Sequence, residues 1–89
     1  MKLPLQEKLY KAFAHEKRLE IVRLLKINKY LTVGQIAKTM NSSMQTTSKQ
    51  LKILADAHII GSEKEGLEVT YFIKKPMSDI VKFVVGYLQ

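Results

Sequence analysis

Apolar residues along this chain recur at helical spacing as far as about residue 58, at strand-like spacing from there to about residue 73, and at helical spacing again near the end. Leu5, Leu9, Ala12 and Phe13 share one face of a predicted first helix, Leu5 to Ala14, with Lys8 and Lys11 opposite. His15 breaks that pattern and can serve as an N-cap for the next segment. Glu16 to Asn28 is apolar at Leu19, Ile21, Val22, Leu24, Leu25 and Ile27, leaving a polar stripe of Glu20, Arg23 and Lys26. So wide an apolar face predicts the central helix of its domain. Thr32 and Gln35 have the spacing of a capping box, and Val33, Ile36, Ala37 and Met40 then mark a short third helix.

Asn41-Ser42-Ser43 predicts a tight turn, since Asn tolerates the left-handed conformation that ends a helix and Ser43 is a good N-cap. A fourth helix follows from Met44 to Ala57. Met44, Thr47, Leu51, Leu54 and His58 are expected on its inner face, and Gln45, Lys49, Lys52 and Asp56 on its outer face. Ile59 to Lys64 and Glu68 to Ile73 read as two strands joined by Glu65-Gly66-Leu67, with Pro76 closing the hairpin. Ser78 caps a last helix, Asp79 to Leu88, with Ile80, Phe83, Val84, Tyr87 and Leu88 largely on one side. The expected fold is α+β and mostly helical, in the order α-α-α-α-β-β-α, and residues 1–89 are expected to form a single domain.

Size changes this picture. A domain of 89 residues buries only a little over ~60% of its unfolded surface. The faces Leu5/Leu9/Phe13 and Ile80/Phe83/Val84/Tyr87 are large for such a domain to leave wet, which predicts a homodimer. Charge adds a second partner. Fifteen Lys plus Arg against eight Asp plus Glu give a net charge of +7, which favours nucleic acid or an anionic membrane surface. The membrane reading is the weaker one. Met1–Leu5 has no apolar run of the signal type, no stretch approaches the ~20 apolar residues of a spanning helix, and Asp79 and Lys82 interrupt the last helix. A cytoplasmic location is the expectation.

The third and fourth helices, separated by a three-residue turn, have the helix-turn-helix plan. A helix that enters the major groove must be slim at its leading end and rich in donors and acceptors. Ser43, Gln45, Thr46, Ser48 and Lys49 meet that need; Gln can bond adenine edges, Thr can offer a methyl to thymine, and Lys49 can take guanine acceptors or phosphate. Lys38, Lys52 and Lys64 are candidate phosphate contacts. The hairpin would then be the wing, and its charge is unusual because Glu63, Glu65 and Glu68 outnumber Lys64.

From Phe13 to Ile73 the chain resembles the arsenic-repressor (ArsR) family of winged-helix regulators. The matching pieces are Phe13-Ala14-His15-Glu16-Lys17-Arg18-Leu19-Glu20-Ile21 and Leu31-Thr32-Val33-Gly34-Gln35-Ile36-Ala37, followed by the stretch from Ser43 to Leu54. Ala57-His58-Ile59-Ile60 and Gly66-Leu67-Glu68-Val69-Thr70-Tyr71 complete the series. The resemblance implies a homodimer joined by its first and last helices (residues 5–14 and 77–88), a helix-turn-helix at 33–57 and a wing at 59–73. It also implies a repressor that binds a two-fold operator in double-stranded DNA.

The chain departs from the metal-sensing members of that family. It has no cysteine, and Val33 and Gly34 stand where those members carry a Cys-x-Cys pair. Asp79 is alone on the last helix, and His15 and His58 fall in separate elements, so no metal and no other cofactor is expected. Arg18, common in the family, is expected to pair with a nearby carboxylate. Ser43 and Ser48 have no histidine base at a recognisable spacing, and no glycine-rich phosphate loop is present, so catalysis is not expected. The acidic wing favours one alternative, a winged-helix protein-interaction module without DNA binding. The residues point to no particular effector.

Overall fold

The computed structural model describes the backbone of residues 4–89 and the side chains of residues 6–89. Five helices and three strands follow in chain order: α1 (Pro4–Phe13), α2 (Glu16–Asn28), β1 (Leu31–Thr32), α3 (Val33–Met40), α4 (Met44–Asp56), β2 (Ile60–Glu65), β3 (Glu68–Ile73) and α5 (Asp79–Tyr87). The caps explain most of these boundaries. His15 accepts from the Lys17 N–H at the start of α2. Thr32 and Gln35 form the reciprocal capping box of α3, and Ser78 accepts from the Val81 N–H at the start of α5.

β1 is the element the periodicity did not predict. Two residues cannot show alternation, and this strand exists only because Leu31 and Thr32 pair antiparallel with Tyr71 and Thr70 of β3. The sheet order is therefore β1-β3-β2, with the hairpin register running from Ile60 opposite Ile73 to Glu65 opposite Glu68. Gly66 turns the hairpin at φ +64°, a conformation glycine adopts at no steric cost. Gly61 serves a different purpose. A Cβ there would lie 2.8 Å from the Phe72 ring, so glycine is what lets that ring lie across β2.

The core gathers Ile21, Val22 and Leu25 of α2, Ile36 of α3, Leu51 and Leu54 of α4, and Ile59 and Ile60 at the entry to β2. Leu9, Ala12 and Phe13 of α1 and Val81 and Val85 of α5 belong to the same cluster. The residues expected on the partner face divide within the single chain. Leu9 and Phe13 are buried within their own chain, and Ile80 and Val84 are partly buried against its core. The Leu5 side chain lies outside the described residues. Phe83 and Tyr87 are the two expected interface residues left well exposed. Ile27 is also corrected: it is 54% exposed, on the solvent side of α2.

Arg18 takes a different partner from the carboxylate expected. Its Nε and one terminal nitrogen donate to the carbonyls of Ala12 (2.8 Å) and Lys11 (2.9 Å) at the C-terminal end of α1. The other terminal nitrogen donates to Gln50 Oε1 of α4 at 2.8 Å. The last carbonyls of a helix lack partners within it, and a cation there also complements the negative end of the helix dipole. Arg18 thus ties α1, α2 and α4 together. Arg18→Ala should lower stability by about 2–3 kcal/mol, the size of losing charge-assisted bonds of which those to Ala12 and Gln50 are part-buried. Urea midpoints would report the loss, and a change below about 0.5 kcal/mol would show that the three bonds contribute nothing net.

Candidate nucleic-acid interface

The turn between α3 and α4 is fixed by its own backbone. Asn41 sits in the left-handed region at φ 52°, and the Ser42 N–H donates back to the Ala37 carbonyl at 2.9 Å. This closure satisfies carbonyls that α3 would otherwise leave open. Ser43 then caps α4. Its Oγ accepts from the Thr46 N–H at 3.0 Å, and its hydroxyl donates to Thr46 Oγ1 at 2.9 Å. Ser43 and Thr46, both expected to face bases, therefore hold each other at the leading end of the helix. Their first role is to set the direction in which α4 leaves the turn.

Gln45, Ser48, Lys49 and Lys52 form one exposed stripe on α4, at i, i+3, i+4 and i+7. Opposite them, Thr47, Leu51 and Leu54 are buried in the core, so the stripe stands on a firm base. Lys52 Nζ lies 3.2 Å from Asp56 Oδ2 in an exposed pair. Such i,i+4 pairs are worth only about 0.3–0.5 kcal/mol, so a phosphate can readily displace the carboxylate. Lys38 is exposed on α3 and Lys64 is exposed on β2, both outside the α4 stripe.

Two inner-face expectations on α4 are corrected. Met44 is 53% exposed and His58 is exposed. Met44 is the first residue of the helix, before the core closes around it, and this places an apolar side chain beside Gln45 at the tip. His58 has φ 61° and lies past the end of α4, where the chain turns toward β2. Sequence reasoning also missed Gln50, whose side chain is held by Arg18 and so is not available to a base. No spacing rule could have found that contact, because the two residues are brought together only by packing.

The wing tip is acidic as expected. Glu65 stands directly opposite Glu68, and Glu63 lies opposite Thr70. Leu67 at the tip is fully exposed. Among the described residues, no group of three or more His, Cys, Asp or Glu is placed to hold a metal ion.

Residues 13–61 match the model of the helix-turn-helix domain family. The transcriptional repressor PagR of Bacillus anthracis has a similar structure (TM-score 0.79, 29% identity, covering 96% of this chain and 93% of that one). So does the homodimeric winged helix-turn-helix DNA-binding domain of a possible ArsR-family transcriptional regulator from Mycobacterium bovis (TM-score 0.78, 25% identity, 90% and 71%). The cadmium resistance transcriptional regulatory protein CadC of Listeria innocua is 38% identical over 65 residues, which are 73% of this chain. The chain belongs to the ArsR family of winged helix-turn-helix regulators. It spans 55% of the length of CadC. α3 and α4 meet at the Asn41–Ser43 turn and the β2-β3 hairpin follows, the element order of a winged helix-turn-helix fold. This ArsR chain differs from a thiol-dependent metal sensor in having no cysteine at all.

Proposed function

We propose that this ArsR-family chain binds a two-fold operator in double-stranded DNA as a homodimer and acts as a repressor in the cytoplasm, without catalytic activity. The observation that carries the reading is the stripe of Gln45, Ser48, Lys49 and Lys52, exposed on a helix whose start is locked by Ser43 and Thr46. In this reading Gln45, with Thr46 and Ser48 beside it, reads base edges from the leading end of α4. Lys49 and Lys52 take phosphates, with Lys38 and Lys64 as outlying contacts. PagR is a repressor and the M. bovis domain is a homodimer, which supports the same roles here. α5, with the exposed rings of Phe83 and Tyr87, is the proposed seam. No helix among the described residues is long and apolar enough to cross a membrane.

A second reading rests on the wing. An acidic tip with Leu67 fully exposed is poorly suited to phosphate and better suited to a basic protein surface. A gel-shift with random duplex, with and without anionic vesicles as competitor, separates the readings. DNA binding that vesicles do not compete away supports the operator reading. No shift on any duplex supports the interaction module, and loss of the shift to vesicles supports a membrane surface.

Metals are expected to leave DNA binding unchanged. With no thiol in the chain and no group of three or more His, Asp or Glu placed to hold a metal among the described residues, operator affinity should agree within error in zinc, in cadmium and in chelator. A tenfold change, about 1.4 kcal/mol, would reveal a metal site.

A further inference from the structure

A cavity of about 440 Å³ opens between α2, β3 and α5, within the size range of small-molecule sites. Its floor is apolar, with Leu25 of α2 and Val85 of α5. Tyr30 and Phe72 form one wall, their rings edge-on with centroids 6.0 Å apart. Lys26, Lys29 and Lys75 line it as well, and no acidic residue does. A larger hollow beside His58 has no such bias, since it carries both Lys74 and Asp79. We propose that the cavity between α2, β3 and α5 binds an anionic amphiphile, a small molecule with a carboxylate or sulfonate on an aromatic or alkyl body, as an effector.

Charge complementarity selects this occupant. An apolar floor with aromatic edges takes the hydrophobic body, and three lysines that form no ion pair among the described residues take the acid. Lys26 makes the site consequential. Its Nζ donates to the carbonyls of Val85 (2.8 Å) and Leu88 at the C-terminal end of α5. An anion in the cavity competes with those carbonyls for Lys26 and loosens the tie between α2 and the helix carrying Phe83 and Tyr87. The aromatic wall lies on the other side, with Phe72 in the wing strand and Tyr30 directly before β1 and α3. The effector role rests on the operator reading above; the binding site does not.

The test uses anilinonaphthalene sulfonate as the anionic probe and N-phenylnaphthylamine as its uncharged counterpart, with the full chain and no DNA. The sulfonate should bind once per chain, and Lys29→Glu/Lys75→Glu should weaken it by about tenfold or more. Lys8→Glu/Lys17→Glu, with the same change in net charge away from the cavity, should leave affinity within about twofold. Both reversals fall on exposed side chains, and thermal unfolding of each variant verifies the fold. Equal binding of the uncharged probe, or unchanged sulfonate binding in Lys29→Glu/Lys75→Glu, would overturn the site. In a second arm, saturating sulfonate should shift operator affinity by at least about threefold in the wild type and not in that variant. Bound probe with unaltered operator affinity would overturn the effector role. A chain that binds probe but no operator in any condition would instead overturn the DNA reading.

Discussion

A chain carrying Phe83→Glu and Tyr87→Glu should run as a monomer and bind operator DNA about 100-fold more weakly, or worse. The two rings lie 4.9 Å apart on α5 and are 66% and 74% exposed in the single chain, a pairing with no purpose if it faces only water. Tyr10, 54% exposed on α1, is a third aromatic outside the core. A two-fold seam uses each residue twice, and truncating a buried aromatic anchor costs about 2–4 kcal/mol, so charges placed there should abolish assembly. A monomer presents one recognition helix to a two-fold operator and loses the contribution of the second. The fold itself should survive, because Leu9, Phe13, Val81 and Val85, which hold α1 and α5 to the core, are untouched. Sedimentation equilibrium with a circular dichroism check reads the result. A folded variant that remains a dimer would place the seam elsewhere.

The second large effect is on base reading. Gln45→Ala should cost roughly 1–3 kcal/mol on the operator and little on random duplex, because a base-edge bond exists only at the right sequence. The exposed Gln45 side chain lies on the solvent face of α4, and Ser43 and Thr46 cap the helix without it, so the substitution leaves the scaffold intact. Lys49→Ala is the contrast. As a phosphate contact it should weaken operator and random duplex alike and reduce the salt slope by about one. Paired salt titrations for the two variants distinguish them. If Gln45→Ala weakens both duplexes equally, Gln45 touches the backbone and the bases are read by other residues.

The helices were legible because their ends are chemically marked. His15, Thr32, Ser43 and Ser78 all cap where the sequence placed them, and Asn41 closes α3 in the left-handed conformation expected of it. The hairpin was legible from the change of period and from Gly66. The differences arise where tertiary packing decides. β1 is too short to carry a period and forms only by pairing with β3. Ile27 and Met44 have apolar side chains at positions near helix ends, where the core no longer covers them. Leu9 and Phe13 form a real apolar face, but periodicity says only that a face is buried and not against which chain. Arg18 is the clearest case. A guanidinium reads as a partner for a carboxylate, yet here the Lys11 and Ala12 carbonyls at the end of α1 and the amide of Gln50 satisfy it. In the candidate interface, the stripe on α4 followed from helical spacing alone, whereas the removal of Gln50 from that surface followed only from the fold.

Above all, this chain is expected to read a DNA sequence. Genomic fragments bound by the full chain can be recovered and sequenced, and the enriched site compared with a scrambled duplex of the same length and composition over a range of salt. A preference of roughly 1,000-fold or more for the enriched site is expected at physiological salt, with affinity for both duplexes falling steeply as salt rises. Equal affinity for the two duplexes, or no enriched site at all, would contradict it.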